Sequence, residues 1–426
     1  MLLLEASARP GGVIQSVEEN GYLFEQGPQS YSSTAALAEL CDDLQLTPEV
    51  VAAPHGAPRY VLIGGKLVQV PMSPALLVSG LLSWSTKISF LLDALGKTSP
   101  PETEESIAAF VRRKFSAELL DRLVGPFVSG VYAGDPEQLS LRAALPKLYQ
   151  AEKAAGSVVR GALKLGKAEG QKTMSRPRPR PGLLSFRTGN VALVRALAAN
   201  LGASLRCNAT VAELKRATGS FQLKIAAAEG EEELSCARLV LATPTAAAAE
   251  LLSNVAPSAC GALQKISYAP VAVVSLGYRT EQIRHSMQGF GFLVPRSAGV
   301  RTLGTVWNSS LFPGRAPQGH VLLTSFIGGA IDPAAASLSP EELVATVHHD
   351  ISPVLKISGG PAATHVARYA RAIPQYNLGH LDRLNSIQDA VGAVPGLWMI
   401  GNYWKGPAIG ACVEHALSVA EAVRIG

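Results

Sequence analysis

The sequence has few cysteines and lacks the motifs that carry hydrolytic or phosphoryl-transfer chemistry. Its 426 residues include only five cysteines, which are scattered and form no C-x-x-C pair. This spacing argues against a disulfide framework and against a zinc site. No G-x-S-x-G, P-loop, H-E-x-x-H or EF-hand pattern occurs. The sequence therefore predicts reduced cysteines, no metal site and no apparatus for hydrolysis.

Charge is also scarce, and it is not concentrated. Only 17% of the residues are charged, 47% are hydrophobic, and the formal net charge is +5. We find no cluster of basic residues interleaved with aromatic ones, so we expect no nucleic-acid partner. The composition predicts a soluble body with an apolar face.

One long uncharged run stands out from this composition. Residues 68–86 contain no charged side chain, and 19 residues are enough on length alone to suggest a transmembrane helix. Two prolines, Pro71 and Pro74, argue against a continuous span. From the pattern alone, an interfacial helical region that dips into a membrane and a pair of core helices remain equally open.

The chain opens with MLLLEASARPGG, a short apolar run that ends in an acidic residue, Glu5, before a Gly-Gly pair. This resembles the second strand of a dinucleotide-binding unit, whose carboxylate binds a ribose hydroxyl. In such a unit a first strand, a G-x-G-x-x-G turn and a helix precede the acid by about 20 residues. We therefore expect that the first strand and helix are missing from this sequence.

Glycine-rich turns recur at the start, in the middle and near the end of the chain. They lie at Gly11-Gly12, at Gly189 and between Gly401 and Gly410. Each is predicted beside a strand or at the beginning of a helix, where backbone amides can receive a pyrophosphate. Any one of them alone is more simply a turn glycine. Together, and without an acid/base constellation, they indicate cofactor-based redox chemistry at a site assembled from distant segments.

The pattern between these turns alternates strands and helices. Asn20-Gly21 predicts a hairpin, residues 33–46 a helix, and the segment from Pro101 to Gly134 two helices with acidic first turns. The polar, Pro-alternating stretch from Lys164 to Pro181 predicts an exposed linker, and ARLVLATP predicts a buried parallel strand.

The second half of the chain has a different character. Residues from about 265 to 330 predict an antiparallel sheet, and GLWMIGNYWKGPAIGACVEHAL predicts a strand, a glycine-rich turn and a helix. The fold class is therefore α/β (α+β).

Seven segments in the same order resemble a known family. They are GPFVSGVYAGDPEQLSLRAALPKL, SFRTGN, GFGFLVP, TLGTVWNSSLFPGRAP, TSFIGG, PQYNLGH and GNYWKGPAIGACVEHAL. Together they resemble the oxygen-dependent protoporphyrinogen oxidases of haem and chlorophyll synthesis, which belong to the amine-oxidase-like flavoproteins. The resemblance implies a discontinuous Rossmann-like FAD domain, here without its first strand and helix, an antiparallel-sheet substrate domain and an inserted helical membrane-binding domain.

The resemblance also implies a division of the chain. The FAD-binding parts are residues 1–58, 181–255 and 376–426, the mainly helical membrane-binding and substrate insertion is 59–180, and the substrate domain is 256–375. The implied reaction takes protoporphyrinogen IX to protoporphyrin IX in three two-electron oxidations. FAD accepts hydride and passes the electrons to dioxygen, which leaves as hydrogen peroxide.

A flat apolar substrate with propionates requires hydrophobic faces and a cation rather than a general base. The resemblance places Leu293, Val306 and Phe326 against the macrocycle, Arg59 on a propionate, and the backbone of Gly130 close to the substrate. Without the resemblance, the three apolar residues are more simply sheet core, Arg59 is equally a surface residue, and Gly130 is equally a turn glycine. No protein side chain is implied as catalytic, because the flavin performs the hydride transfer.

For FAD, the resemblance implies contacts from all three segments of the cofactor domain. Glu5 binds the adenosine ribose, and the backbone of Val211 meets the adenine. The remaining implied contacts, at the pyrophosphate and the flavin, are Arg9, Gly11, Gly12, Gly401, Asn402, Ala408, Ile409 and Gly410.

Other functions remain open at the sequence level. Coproporphyrinogen III has the same macrocycle core and propionates, so its oxidation to coproporphyrin III is an alternative. A truncated chain that binds a tetrapyrrole without turnover is another. Residues of about 72–97 are predicted to meet a membrane surface. The lack of a transit peptide and the reduced cysteines favour the bacterial cytoplasm, with the protein on the inner membrane, over a plastid membrane. Whether the chain forms a homodimer is left open.

Overall fold

The computed structural model describes residues 1–71, 74–172, 182–227 and 230–425. Within them the strands are β1 Leu3–Leu4, β2 Ser16–Glu19, β3 Tyr22–Glu25, β4 Tyr31–Ser32, β5 Val50–Ala52, β6 Arg59–Ile63, β7 Lys66–Val70, β8 Leu183–Phe186, β9 Leu205–Arg206, β10 Thr210–Ala217, β11 Ser220–Ala227, β12 Gly230–Cys236, β13 Leu239–Leu241, β14 Tyr268–Arg279, β15 Gly291–Leu293, β16 Thr302–Val306, β17 His320–Gly328, β18 Ala363–Pro374 and β19 Leu397–Met399.

The helices alternate with these strands. They are α1 Ala35–Asp43, α2 Trp84–Leu95, α3 Ile107–Lys114, α4 Ala117–Leu119, α5 Gly125–Tyr132, α6 Leu141–Ala144, α7 Pro146–Ala155, α8 Val158–Lys172, α9 Val191–Leu201, α10 Thr245–Leu252, α11 Pro257–Gln264, α12 Asn308–Leu311, α13 Pro340–Leu355, α14 His380–Gly392 and α15 Ile409–Ile425. The predicted mixture of helices and strands is confirmed.

A seven-stranded sheet in the order β18-β14-β17-β16-β15-β6-β7 dominates the second half of the chain. Its pairs are antiparallel except for β15 with β6, which is parallel. The sheet therefore joins the hairpin β6–β7 to strands more than 200 residues away in sequence. On one face, Ala272, Val274 and Leu276 of β14 pack in one core with α13. The other face carries Val271 and Val273, and the candidate site described below lies on this face.

Two short parallel strand pairs carry the segments predicted to bind a dinucleotide. β1 pairs with β9, and β13 pairs with β19, with Leu241 opposite Met399. Because the strands of each pair run the same way, the segments that follow them lie at the same edge. Glu5 follows β1, and Gly401 follows β19 after one intervening residue.

The helical segment between β7 and β8 holds its own core. Ile107, Phe110 and Val111 of α3 are fully buried against α5 and α6. Ser106 caps α3 by accepting a hydrogen bond from the Ala109 amide, so the helix begins after the acidic residues. The prediction of an acidic first turn is therefore wrong for this helix, because the serine cap takes the first turn's amide.

Two further predictions about local structure are wrong. Residues 164–172 continue helix α8, so the predicted linker is helical as far as Lys172, and residues 173–181 lie outside the described residues. Strand β13 is parallel as expected but only partly buried, because Val240 is exposed. Val240 lies on the solvent side of the strand, whereas the side chain of Leu241, which points to the other side, is buried.

The uncharged run also resolves into several pieces. β7 ends at Val70, a short 3₁₀ turn covers Pro74–Leu77, and α2 begins at Trp84. In the described ranges, no helix has both the length and the apolarity to cross a membrane. Residues 72 and 73 of the predicted membrane-contacting stretch lie outside those ranges.

Candidate active site

The three apolar residues predicted to contact a macrocycle lie on one face of the seven-stranded sheet. Leu293 of β15 pairs with Gly304 of β16, and Gly304 pairs with Phe326 of β17. Residues opposite one another across strands share a face, and so do residues two apart on one strand. Val306, two residues after Gly304, therefore joins the same face. The sheet brings Leu293, Val306 and Phe326 together.

Gly304 is a member of this row that the sequence reasoning missed. It lies between Leu293 and Phe326 in the register, where any side chain would stand between theirs. A Cβ at this position would lie 2.9 Å from the Phe292 carbonyl oxygen and 3.0 Å from Leu293 Cδ2. The glycine leaves a shallow, flat floor between two hydrophobic side chains. The TLGTVW motif contains the residue, but the alternation of a strand does not reveal which face it occupies.

Arg59 lies at the rim of this face. It begins β6, where it pairs with Gly291, two residues before Leu293. Its side chain is exposed, and its guanidinium carbon lies 5.4 Å from the centroid of the Phe290 ring. Stacking on an aromatic ring orients the guanidinium and leaves its N–H groups free to point outward. The arrangement offers one oriented cation at the edge of an apolar surface.

Helix α5 packs over the same face of the sheet, against Leu293. Gly130 of α5 approaches Leu293 so closely that a Cβ would lie 2.5 Å from Leu293 Cδ2. Ala133, which ends α5, packs with Val271, Val273 and Phe326. The five residues predicted to bind the substrate therefore surround one face of the sheet.

Glu5 lies at the adenosine end of the predicted cofactor site. One of its carboxylate oxygens accepts hydrogen bonds from the Ser7 amide and hydroxyl, at 2.9 and 2.7 Å. The Ala209 amide donates to the Glu5 carbonyl, which brings the beginning of β10, with Val211, beside it. Glu5 and Val211 are thus neighbours, although about 200 residues separate them in sequence.

The Gly11-Gly12 loop is closed by its own arginine. Arg9 donates to the Gly12 carbonyl at 2.8 Å and to the Pro10 carbonyl at 3.3 Å. Gly11, with φ of 100°, lies against Val194 of α9, where a Cβ would be 2.7 Å from the valine methyls. Gly12 faces open space. The loop offers backbone for a close approach, and Arg9 is held beside it.

The turn from Gly401 to Gly410 leads into the first residues of α15. A Cβ at Gly401 would lie 2.5 Å from the Tyr403 ring, and a Cβ at Gly410 would lie 2.6 Å from Thr34 Cγ2. Thr34 caps α1, so the N-termini of α1 and α15 are adjacent. The first amides of a helix have no partner within it and attract an anion. Ala408 and Ile409 occupy this position with Gly410.

Residues at the carboxyl edge of β13 and β19 fit a bound dinucleotide. Thr243 follows β13, and its hydroxyl is buried without a hydrogen-bond partner among the described residues. The Gly401 turn leaves the parallel partner strand at the same edge. A buried unpaired hydroxyl requires a polar partner, and a polar ligand over this edge would supply one. The loop at Gly12, which faces open space, and the N-terminus of α15 each offer backbone to which a phosphate could bind.

Among the five residues predicted to bind the substrate, the one titratable side chain is that of Arg59. In the part of the chain that the structure describes, no group of three or more His, Cys, Asp or Glu side chains could hold a metal ion. The site can bind, orient and shield a flat apolar molecule. Oxidation there requires a cofactor that accepts the electrons.

Comparisons with known proteins agree with this geometry. Residues 1–424 match the family model of flavin-containing amine oxidoreductases. The chain is 38% identical to the chloroplastic protoporphyrinogen oxidase of Nicotiana tabacum, over 99% of this chain and 81% of that protein. It is 29% identical to the coproporphyrinogen III oxidase of Bacillus subtilis, over 97% of this chain and 89% of that protein.

A solved structure shows the same architecture. The crystal structure of a protein from Exiguobacterium sp. 255-15, assigned as a protoporphyrinogen oxidase, superposes with a TM-score of 0.82 at 25% identity, covering 100% of this chain and 92% of that one. The resemblance read from the motifs is confirmed. The chain therefore belongs to the flavin-containing amine oxidoreductase family and, within it, to the protoporphyrinogen oxidase group.

Proposed function

We propose that this protein oxidises protoporphyrinogen IX to protoporphyrin IX with FAD as cofactor and dioxygen as final acceptor. Six hydrogens leave the macrocycle in three two-electron steps, and three dioxygen molecules become three molecules of hydrogen peroxide. The observation that carries the proposal is the sheet face on which Leu293, Val306 and Phe326 share one side with Arg59 at the rim. The relatives named as protoporphyrinogen oxidases support it at 37–38% identity.

The residues of the row bind and orient a flat substrate. Leu293 and Phe326 flank the space above Gly304, so a macrocycle can lie against the sheet with its edge toward Arg59. Arg59 pairs with a propionate and fixes the rotation of the ring about its own axis. Helix α5, with Gly130, closes the far side and excludes water from the reacting carbon. In each two-electron step one hydrogen leaves the macrocycle as hydride and one as a proton. The proton is taken up when dioxygen becomes hydrogen peroxide, so no protein side chain has to keep it.

The three cofactor segments would hold FAD in one extended site. Glu5 and Val211 would bind the adenosine, while Arg9, Gly11, Gly12 and the α15 N-terminus would receive the pyrophosphate. When bound, the flavin supplies the two-electron acceptor. The turn that begins at Gly401 and Asn402 would meet its ring system. This supports the division into cofactor segments 1–58, 181–255 and 376–426 around the insertion 59–180 and the substrate domain 256–375.

Coproporphyrinogen III is a second candidate substrate. The similarity to the coproporphyrinogen III oxidase of Bacillus subtilis favours it. That macrocycle carries additional propionates in place of apolar groups, so it would place more charge near Arg59. A comparison of kcat/KM for the two porphyrinogens separates the candidates.

Replacing Arg59 by leucine tests the substrate-binding face. We expect R59L to raise KM for protoporphyrinogen about tenfold and to leave kcat within a factor of two. The reason is that the lost contact acts in binding, and a tenfold change corresponds to about 1.4 kcal/mol. Initial rates are followed by porphyrin fluorescence. The matched control is K66L, an exposed cation on the neighbouring strand β7. Equal KM values in R59L and K66L contradict the proposed role.

We further propose that helix α2 docks the protein on a membrane surface, in a bacterium or a plastid. Its outward side is apolar: Trp84 is 78% and Leu95 75% exposed, and Ile88, Leu91 and Leu92 are exposed beside them. Lys87 lies with its ammonium 4.7 Å from the Trp84 ring centroid, at the level where headgroups would meet it. An apolar patch of this kind favours an interface.

Negative charge introduced on the apolar side of α2 should remove most of this docking. We expect the double variant L91E/L95E to lose most of its binding to vesicles of phosphatidylglycerol and phosphatidylethanolamine in flotation, because two carboxylates would have to enter the interface. The unfolding midpoint should stay unchanged, since both side chains are exposed. L417E on α15, another exposed leucine, should bind vesicles like the wild type. Flotation of L91E/L95E at the wild-type level contradicts the docking face.

A further inference from the structure

The segment Pro374–His380 joins β18 to α14. It is fixed between the rest of the chain and the helical segment that lies between β7 and β8, which is called the helical unit below. The Gln375 amide donates to the Ser267 carbonyl at 2.8 Å, and the Ser140 amide donates to the Tyr376 carbonyl at 2.8 Å. The Leu378 amide donates to the Gln138 carbonyl. These backbone bonds hold the segment in place independently of its side chains.

Two side chains of this segment reach the turn Gly401–Trp404. The Tyr376 hydroxyl donates to the Asn402 carbonyl. His380 contacts the Tyr403 carbonyl through Nε2 at 2.9 Å. A carbonyl oxygen only accepts, so Nε2 carries the hydrogen. Tyr376 and His380 are 2% and 0% exposed, and their rings lie 4.4 Å apart.

These contacts fix the direction of two consecutive peptide groups. The Asn402 and Tyr403 carbonyls are turned toward Tyr376 and His380, so the amides of the same peptide groups point the opposite way. The Trp404 amide closes the turn on the Gly401 carbonyl at 3.3 Å. These three hydrogen bonds leave the backbone of the turn with little conformational freedom.

We propose that Tyr376 and His380 are positioning residues that hold the turn 401–404 in the conformation that receives the flavin. This inference rests on the proposed function, which places the flavin beside Gly401 and Asn402. Neither residue touches the cofactor or the substrate in this account. Both act through the backbone of the turn, and they tie it to the segment that also contacts the helical unit.

A neighbouring tyrosine supplies a matched control. Tyr132 is buried, donates its hydroxyl to the Ala144 carbonyl at 2.7 Å, and has its ring centroid 5.7 Å from that of Tyr376. Y132F and Y376F therefore remove the same kind of bond from the same aromatic cluster. Only Y376F removes one from the turn. A loss of packing or stability alone affects both variants alike.

The test measures the turn and the cofactor separately. Hydrogen exchange of the cofactor-free protein reports the amides of residues 401–406, and titration with FAD, followed by flavin fluorescence, gives the FAD dissociation constant. We expect Y376F and H380L each to speed exchange in residues 401–406 and to raise the dissociation constant about tenfold. H380Q, which keeps a donor near the Nε2 position, should restore most of the affinity. Y132F should stay within a factor of two of the wild type.

The outcomes separate this inference from the proposed function. If the wild type binds FAD and Y376F and H380L bind it as well as Y132F does, the positioning role is overturned and the proposed function stands. Unchanged exchange at residues 401–406 in both variants also overturns it. If the wild type takes up no FAD, the proposed function fails. The proposal that the turn 401–404 binds the flavin then fails as well, even if hydrogen exchange shows that Tyr376 and His380 hold the turn.

Discussion

Replacing Arg315 by methionine is expected to lower the free energy of unfolding by about 3–5 kcal/mol, which is typical of breaking a buried ion pair from one side. Arg315 is 1% exposed and lies 3.7 Å from the Glu25 carboxylate. It also donates to the Ser185 hydroxyl at 2.6 Å and to the Phe186 carbonyl at 3.1 Å. Its loss leaves the Glu25 charge buried without a cation, and urea unfolding measures the cost.

The pKa shifts at this pair show that burial disfavours the charged form of both side chains. Burial raises the pKa of Glu25, while the hydrogen bond from Ser16, the charge of Arg315 and the Asn190 amide oppose the rise. Burial also lowers the pKa of Arg315, against the charge of Glu25. The double variant E25Q/R315M removes both charges and should recover much of the loss. A double variant as unstable as the sum of the two single variants contradicts the pairing.

Replacing Lys114 by methionine should lower the free energy of unfolding at pH 7 by about 3 kcal/mol. Lys114 ends α3, its side chain is 4% exposed, and its ammonium lies 2.6 Å from Asp93 of α2 and 3.5 Å from Glu152 of α7. Both carboxylate side chains are fully buried. The cation therefore fastens α2 to α3 and α7, and urea unfolding of K114M reports this anchor.

The pH dependence of K114M tests the electrostatic origin of the effect. Burial raises the pKa of Asp93, but the hydrogen bonds from Lys114, Val159 and Ser157 outweigh it and hold the pKa below its ordinary value. The wild type therefore keeps this stabilisation above about pH 4 and loses it as the pH falls through that range. Without Lys114, burial dominates and the folded state favours the protonated acid. The deficit of K114M should be smallest near pH 4 and grow toward pH 7.

A control variant separates this anchor from general effects of charge. K153M removes an exposed lysine on α7, next to Glu152 in sequence, and should change the free energy of unfolding by less than about 0.5 kcal/mol. A deficit of K114M that does not vary with pH, or that K153M shares, contradicts the buried network.

The parts of the fold that follow from local chemistry could be predicted from the sequence. The Asn20-Gly21 turn forms the hairpin β2–β3, as its type demands, because both residues take positive φ. The strand, glycine-rich turn and helix at the end of the chain form β19 and α15. The antiparallel sheet follows from alternation. Motifs in a fixed order identified the residues that line one face of it.

Features set by contacts distant in sequence could not be predicted. Arg315 occurs in a turn-like FPGRAP motif, and only the fold places it 1% exposed beside Glu25. Tyr376 and Asn402 are 26 residues apart in sequence, and only the fold brings the Tyr376 hydroxyl to the Asn402 carbonyl. Helix α8 continues through residues 164–172 although their composition favours an exposed linker. The placements of Arg315 and Tyr376 depend on contacts between distant parts of the chain, which local propensity does not encode.

The most direct test of the central claim is the aerobic oxidation of protoporphyrinogen IX by the purified protein supplied with FAD. Porphyrin fluorescence and hydrogen peroxide are measured in the same reaction. The account predicts enzyme-dependent protoporphyrin with three molecules of peroxide for each porphyrin, and a lower rate with R59L at subsaturating substrate. A protein that carries FAD but forms no porphyrin above the spontaneous rate, from either protoporphyrinogen or coproporphyrinogen, would contradict it.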